Sequence, residues 1–192
     1  MEKNMPNTTL EKQKEVRQKI FQSEREAAEN NENGIVTCQL VVFKLANEEY
    51  ALRIEEIKEV VLTPGITHIP QVPEYIRGVA NVRGNILAIV DLQKRLGIEG
   101  ESMDHSRFTL VLDDENHKVG ILVQEVPNTV SIAEKNLDAS NPYIQESAIE
   151  ERAIQALAKI DGRLIILLNI KNILAPDEAL LLQSNPHSPV SN

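Results

Sequence analysis

The groups in this chain that could do chemistry are four histidines, one cysteine and twenty-nine carboxylates, set against twenty Lys and Arg. His68, His105, His117 and His187 never fall at ligand spacing from one another. The zinc motif H-E-x-x-H is absent, as are the G-x-S-x-G of a serine nucleophile, the phosphate-cradling P-loop and the dinucleotide glycine pattern. Cys38 lies inside an apolar run, the setting of a buried, inert thiol. As the sole cysteine it also excludes an intramolecular disulfide and any multi-Cys metal site. Asp113-Asp114-Glu115 reads as an acidic hairpin tip, because no calcium-loop glycine and Glu follow it in register. Carboxylate pairs such as Glu55-Glu56 and Glu150-Glu151 are ordinary in so acidic a chain. The expectation is a protein without catalytic residues, cofactor or metal.

One stretch is richer. Residues 69–84 read Ile-Pro-Gln-Val-Pro-Glu-Tyr-Ile-Arg-Gly-Val-Ala-Asn-Val-Arg-Gly. The two prolines fix an extended, stiff approach. Gly78 and Gly84 admit backbone conformations closed to other residues. Between them Asn81 and Arg83 interrupt an otherwise apolar strand. Arg83 either pairs with a nearby carboxylate for structural reasons or uses its guanidinium fork to hold a partner.

The elements that must position this stretch are short β-branched and aliphatic runs punctuated by turns. Residues 39–45, 50–53, 57–62, 79–82, 85–90, 108–112, 118–123 and 164–168 read as strands. Arg83-Gly84 is a tight hairpin connection. Residues 91–96, closed by Gly97, and 176–182 read as short helices. A weak internal repeat follows, in two segments: residues 50–57 match 119–126 in apolarity position by position, and 83–92 match 161–170. Both point to two related small β-subdomains within one unit.

Residues 1–34 differ in kind. From Thr8 to Glu29 they are rich in Glu, Lys, Gln and Ala, with only a short Val16, Ile20, Phe21 stripe, and read as a helical or disordered leader. Residues 183–192 read as a tail. The formal charge of −9 speaks against nucleic acid and against a polybasic membrane role. The longest strictly apolar runs, residues 86–90 and 164–168, have five residues each, far short of the ~20 that a membrane helix needs. A soluble, cytoplasmic protein with no direct membrane insertion is expected.

Taken in order, Phe43-Lys44-Leu45, residues 49–54, Ile57-Lys58-Glu59-Val60, the Pro- and Gly-punctuated stretch ending in Asn81-Val82-Arg83-Gly84, residues 86–92, 120–123 and 164–170 resemble the CheW-like chemotaxis coupling proteins. The pattern I-P-x-x-P-x-x-I-x-G-V-x-N-x-R-G is the specific part, and the resemblance covers residues 38–182. It implies a mainly β fold of two small five-stranded β-barrels that share one apolar core, spanning residues 35–182. It also implies a non-enzymatic adaptor between methyl-accepting chemoreceptor tips and a histidine kinase carrying a CheW-like domain, recruited to chemoreceptor arrays. In the family the Arg before the second motif Gly matters for assembly and a third-strand Glu pairs with it, positions held here by Arg83 and Glu59.

The receptor tip is an amphipathic helix pair, so its site should be an apolar groove with a polar rim. Ile57, Val60, Val82 and Ile86 are the candidates for its wall, each also readable as plain core, and Asn81, Arg83, Gly84 and Glu59 complete the candidate site. The sequence departs from the family at Gln124, where Asp is frequent, and at Ala153 and Ala156, where an aromatic and a Gly are common. Two other readings stay open: an adaptor in a chemosensory circuit other than swimming, such as twitching motility, and a small-barrel ligand-binding module. The second lacks the aromatic stacking row such modules use, with aromatics at only 3%.

Overall fold

The computed structural model describes residues 36–174, apart from 101, 104, 105, 114–117 and 148. The leader, the expected helix at 176–182, the tail, His105, His117, His187 and most of the acidic tip at 113–116 lie outside the described residues.

Eleven strands and a few short helices are described, starting with β1 (Thr37–Leu45), β2 (Glu48–Arg53) and β3 (Ile57–Leu62). The hairpin β4 (Ile76–Val82) and β5 (Asn85–Val90) leads into α1 (Leu92–Leu96). Next come β6 (Phe108–Leu112), β7 (Val119–Val123), β8 (Asn128–Ala133), the two-residue β9 (Leu137–Asp138) and α2 (Tyr143–Glu146). The hairpin β10 (Ile154–Ile160) and β11 (Arg163–Leu168) and the short α3 (Ile170–Ile173) end the described chain.

Helix α1 begins and ends where its sequence says it should. The Asp91 carboxylate accepts the Lys94 N–H at its start, and Gly97 closes it in the left-handed conformation at φ 67°.

Two sheets result. The first runs β8-β1-β2-β11-β10-β9 and the second β3-β6-β7-β5-β4. These are the two small barrel-like subdomains, the first with a sixth, very short strand. The repeat copies do not map one onto each sheet, however. The first sheet takes β1 and β2 from the first copy and β8 to β11 from the second; the second sheet takes β3 to β5 from the first copy and β6 and β7 from the second.

The pairing registers show that the repeat is structural. In the repeat Tyr50 corresponds to Val119, and Ala88 to Ile166. Tyr50 lies opposite Ile166 in the parallel β2–β11 pair, and Val119 lies opposite Ala88 in the parallel β7–β5 pair. The two copies are therefore interlocked by equivalent strand pairings.

One large buried cluster is shared by both sheets: Phe43, Tyr50, Leu52 and Ile166 from the first meet Leu87, Ile89, Leu110 and Ile121 from the second. A smaller cluster of Cys38, Leu40, Val42, Ala51, Ile132, Ile165 and Leu167 fills the opposite face of the first sheet. Strand β11 serves both, with Ile166 and Leu168 on the shared side and Ile165 and Leu167 on the other. A strand buried on both faces cannot alternate with polar residues, which is why this run is uninterruptedly apolar. Only its first apolar residue escapes: Leu164 is 44% exposed, and its repeat equivalent Ile86 is 55% exposed.

Candidate partner-docking site

In the second sheet β3 and β4 are the two edges, and no ladder joins them. The seam is closed at one end by Thr67, whose N–H and C=O exchange hydrogen bonds of 2.7 and 2.9 Å with Val79. That approach is close enough to require Gly78, which sits at φ 136°; a Cβ there would stand 2.2 Å from the Thr67 carbonyl oxygen. At the other end the β4–β5 tip reaches across, and Arg83 Nη2 lies 3.1 Å from Glu59 Oε2 on β3. The seam thus has a backbone bridge at one end and an ion pair at the other.

The tip is a two-residue turn in which both central residues have positive φ, 51° at Arg83 and 88° at Gly84. That is the type I′ signature, whose twist matches the flanking strands. Glycine adopts it freely. For an L-residue such as arginine the left-handed region costs about 1–2 kcal/mol. Asn81 acts inside the turn, its Oδ1 accepting the Gly84 N–H at 2.8 Å.

The Arg83 side chain is 78% exposed and that of Glu59 23%. A pair this exposed stabilises a fold by about 0–1 kcal/mol. The guanidinium carries five donors in a planar fork, and most of that capacity faces solvent.

Of the apolar candidates, the structure brings Ile86 to the same tip, directly opposite Asn81 in the β4–β5 register and on the same exposed face. Val82 is buried within the shared core. Ile57 and Val60 are half-buried on β3, on either side of Glu59, and pack against that core. Sequence reasoning did not single out Leu62 and Ile66, which are exposed on either side of the irregular Thr63-Pro64-Gly65 segment. Their only sequence signal is an aliphatic residue abutting a turn. Of the three departures, Gln124 is exposed, while Ala153 and Ala156 are buried.

Elsewhere some titratable groups are engaged in the fold. Arg53 makes a two-pronged pair with Glu134, at 2.6 and 3.2 Å, tying the end of β2 to the turn after β8. That guanidinium holds the Glu134 carboxyl below the usual carboxylate range. Cys38 is buried beside it, and burial first, then the negative Glu134, push its thiol pKa up. A thiol kept protonated is a poor nucleophile. Iodoacetamide at pH 8 is accordingly expected to label Cys38 only after the chain is unfolded in denaturant; rapid labelling of the native chain would contradict this burial. His68 is exposed, and among the described residues no three His, Cys, Asp or Glu side chains converge as a metal site. No helix among them is long and apolar enough to cross a membrane.

The seam is thus strapped by an ion pair and lies beside an exposed aliphatic. The family model for the CheW-like domain matches residues 39–178. The chain belongs to that family. A chemotaxis protein CheW from Klebsiella aerogenes is 29% identical over 146 residues, covering 76% of this chain and 87% of that protein. The CheW of Thermotoga maritima is 32% identical over 138 residues, 71% of this chain and 87% of its own. In three dimensions this CheW-family fold is similar to the scaffolding protein TtCheW of Thermoanaerobacter tengcongensis, with a TM-score of 0.66 and 30% identity over 74% of this chain and 91% of that one.

Proposed function

We propose that this CheW-family chain is a chemotaxis coupling adaptor that works without catalysis. It holds a histidine kinase, through that kinase's CheW-like domain, to the cytoplasmic tips of methyl-accepting chemoreceptors. Its place is the cytoplasm, at membrane-associated receptor arrays. The observation that carries this reading is the family match over residues 39–178, and the exposed Arg83–Ile86 tip gives it a physical basis.

The adaptor needs a rigid body with several faces, and two interlocked sheets about one shared core supply it. At the tip, Arg83 and Glu59 set the orientation of the partner more than raw affinity, as charges at an interface rim do. Ile86 at the tip and the half-buried Ile57 and Val60 of β3 supply the apolar contact for an amphipathic helix. Gly84 and Asn81 shape the turn. Residues 35–182 form the coupling body, with 1–34 as a leader and 183–192 as a tail.

Calorimetric titration tests the reading. The full chain should bind both a chemoreceptor cytoplasmic fragment and the kinase's CheW-like domain, each saturably and near one to one. A chain that binds neither would remove the proposal. A second reading keeps the adaptor role but places it in a chemosensory circuit other than swimming. A 34% match to the Protein PilI of Pseudomonas aeruginosa, over 44% of this chain and 47% of that protein, is the observation in its favour.

A further inference from the structure

The two pseudo-equivalent hairpins make the same turn with different chemistry. At the β4–β5 tip the central pair is Arg83-Gly84, with φ of 51° and 88°; at the β10–β11 tip it is Asp161-Gly162, with φ of 49° and 79°. Asp-Gly is among the sequences that favour a type I′ turn, because a short polar side chain tolerates the left-handed region. Arginine has no such preference. The first hairpin therefore keeps a poorly suited residue at its tip.

The difference two residues earlier is the informative one. Asn81 and Lys159 occupy equivalent register positions, opposite Ile86 and Leu164 respectively. Asn81 Oδ1 accepts the Gly84 N–H at 2.8 Å. A lysine has no acceptor and can make no such bond. The hairpin with the favourable turn residue dispenses with the support, and the hairpin with the unfavourable one has it. Strain of this kind persists only where its surroundings hold it, and it concentrates at functional sites.

We propose that Asn81 is a positioning residue for the docking site: by holding the Gly84 N–H it locks the tip in the left-handed turn and so aims the Arg83 guanidinium across the seam at the partner. This inference rests on the adaptor reading and reassigns Asn81 from a contact to a support. Asn81 acts through the backbone, and its side-chain acceptor, not its amide NH2, is what matters.

The test compares Asn81→Ala with Asn81→Asp in the full chain, since aspartate keeps the acceptor and lacks the NH2. Two quantities are read: affinity for a chemoreceptor cytoplasmic fragment, and hydrogen exchange at the Gly84 amide. The native chain and Asn81→Asp should show a protected Gly84 amide and affinities within about twofold of each other, whereas Asn81→Ala loses the protection and about tenfold in affinity, the worth of one hydrogen bond. Thermal stability should hardly move, because the tip is exposed.

An unprotected Gly84 amide in the native chain overturns the inference outright. So does full affinity in Asn81→Ala. Equal weakening in both variants, with the Gly84 amide still protected in Asn81→Asp, also overturns it, because the NH2 group then contacts the partner. Arg83→Ala in the same assay separates the two levels: if it binds normally the docking assignment fails, and if it alone loses binding only the positioning role fails.

Discussion

Gly78→Ala should cost the fold about 3 kcal/mol, because three effects coincide at one position. The new Cβ meets the Thr67 carbonyl oxygen at 2.2 Å and its carbon at 2.8 Å, and these are backbone atoms that no rotamer change can move aside. Its φ of 136° is closed to L-residues whatever the space around it. Moving Thr67 away also breaks the reciprocal hydrogen bonds to Val79, the only backbone closure of the β3–β4 seam among the described residues. For a chain of this size the expected fall in melting temperature is roughly 6–12 °C. Gly84→Ala is the control. It keeps the positive φ of 88° but meets nothing within 4 Å, so only the conformational cost of about 1–2 kcal/mol applies. Calorimetric melting of the two variants checks the ranking, and a Gly78→Ala protein that melts with the native chain would show the seam closure to be dispensable.

Arg83→Ala should do the opposite, weakening docking while sparing the fold. Its side chain is 78% exposed, and its ion pair with Glu59 is of the kind worth at most about 1 kcal/mol to stability. Truncating an arginine anchor at an interface costs about 2 kcal/mol or more, which is roughly a thirtyfold rise in Kd. Glu59→Ala leaves the guanidinium in place and only loosens it, so its effect should be smaller, and the double variant should cost less than the two singles added together. Binding of Arg83→Ala within twofold of the native chain would move the docking site elsewhere on the molecule.

How far the sequence carries differs from strand to strand, for physical reasons. The site region is legible because its signals are local. Two strand-forming runs flank a two-residue break, and the expected bounds of β3, β5 and β6 are those observed. The ends of α1 are legible too, since Asp91 and Gly97 act on their own helix. Strand β10 is not. It reads Ile-Gln-Ala-Leu-Ala-Lys-Ile, rich in helix formers, and is a strand because β11 and β9 flank it. The two residues of β9 have no signal of their own and exist only as partners of Leu157 and Ala158. Strand β8 does alternate, with Val130 and Ile132 toward the smaller cluster, but its Asn, Thr and Ser dilute the pattern.

The interleaving of the copies is a subtler loss. Strands β5 and β11 carry equivalent apolar patterns, so β2 or β7 could pair with either as far as local chemistry is concerned. Tertiary connection decides it: β2 takes β11, from the other copy, and β7 takes β5. Within the site, the Arg83–Glu59 pairing is implied by family resemblance, whereas the capping role of Asn81 depends on a backbone φ that residue types do not reveal. Val82 illustrates the remaining ambiguity. An aliphatic beside a tip serves either core or partner; alternation along β4 turns Val82 inward, whereas Ile86 is exposed by its place at the tip of β5, whose residues 87–90 are all buried.

The most direct measurement of coupling is three-component sedimentation. Chemoreceptor-bearing membranes and kinase are held at fixed concentrations while the full chain is titrated, and the kinase in the pellet is measured. A bridge with two separate faces predicts a rise in pelleted kinase followed by a fall at excess, as each partner fills with its own copy, and a curve shifted to roughly thirtyfold higher chain for Arg83→Ala. Kinase that stays in the supernatant at every concentration, although the chain itself pellets with the receptors, would contradict the account.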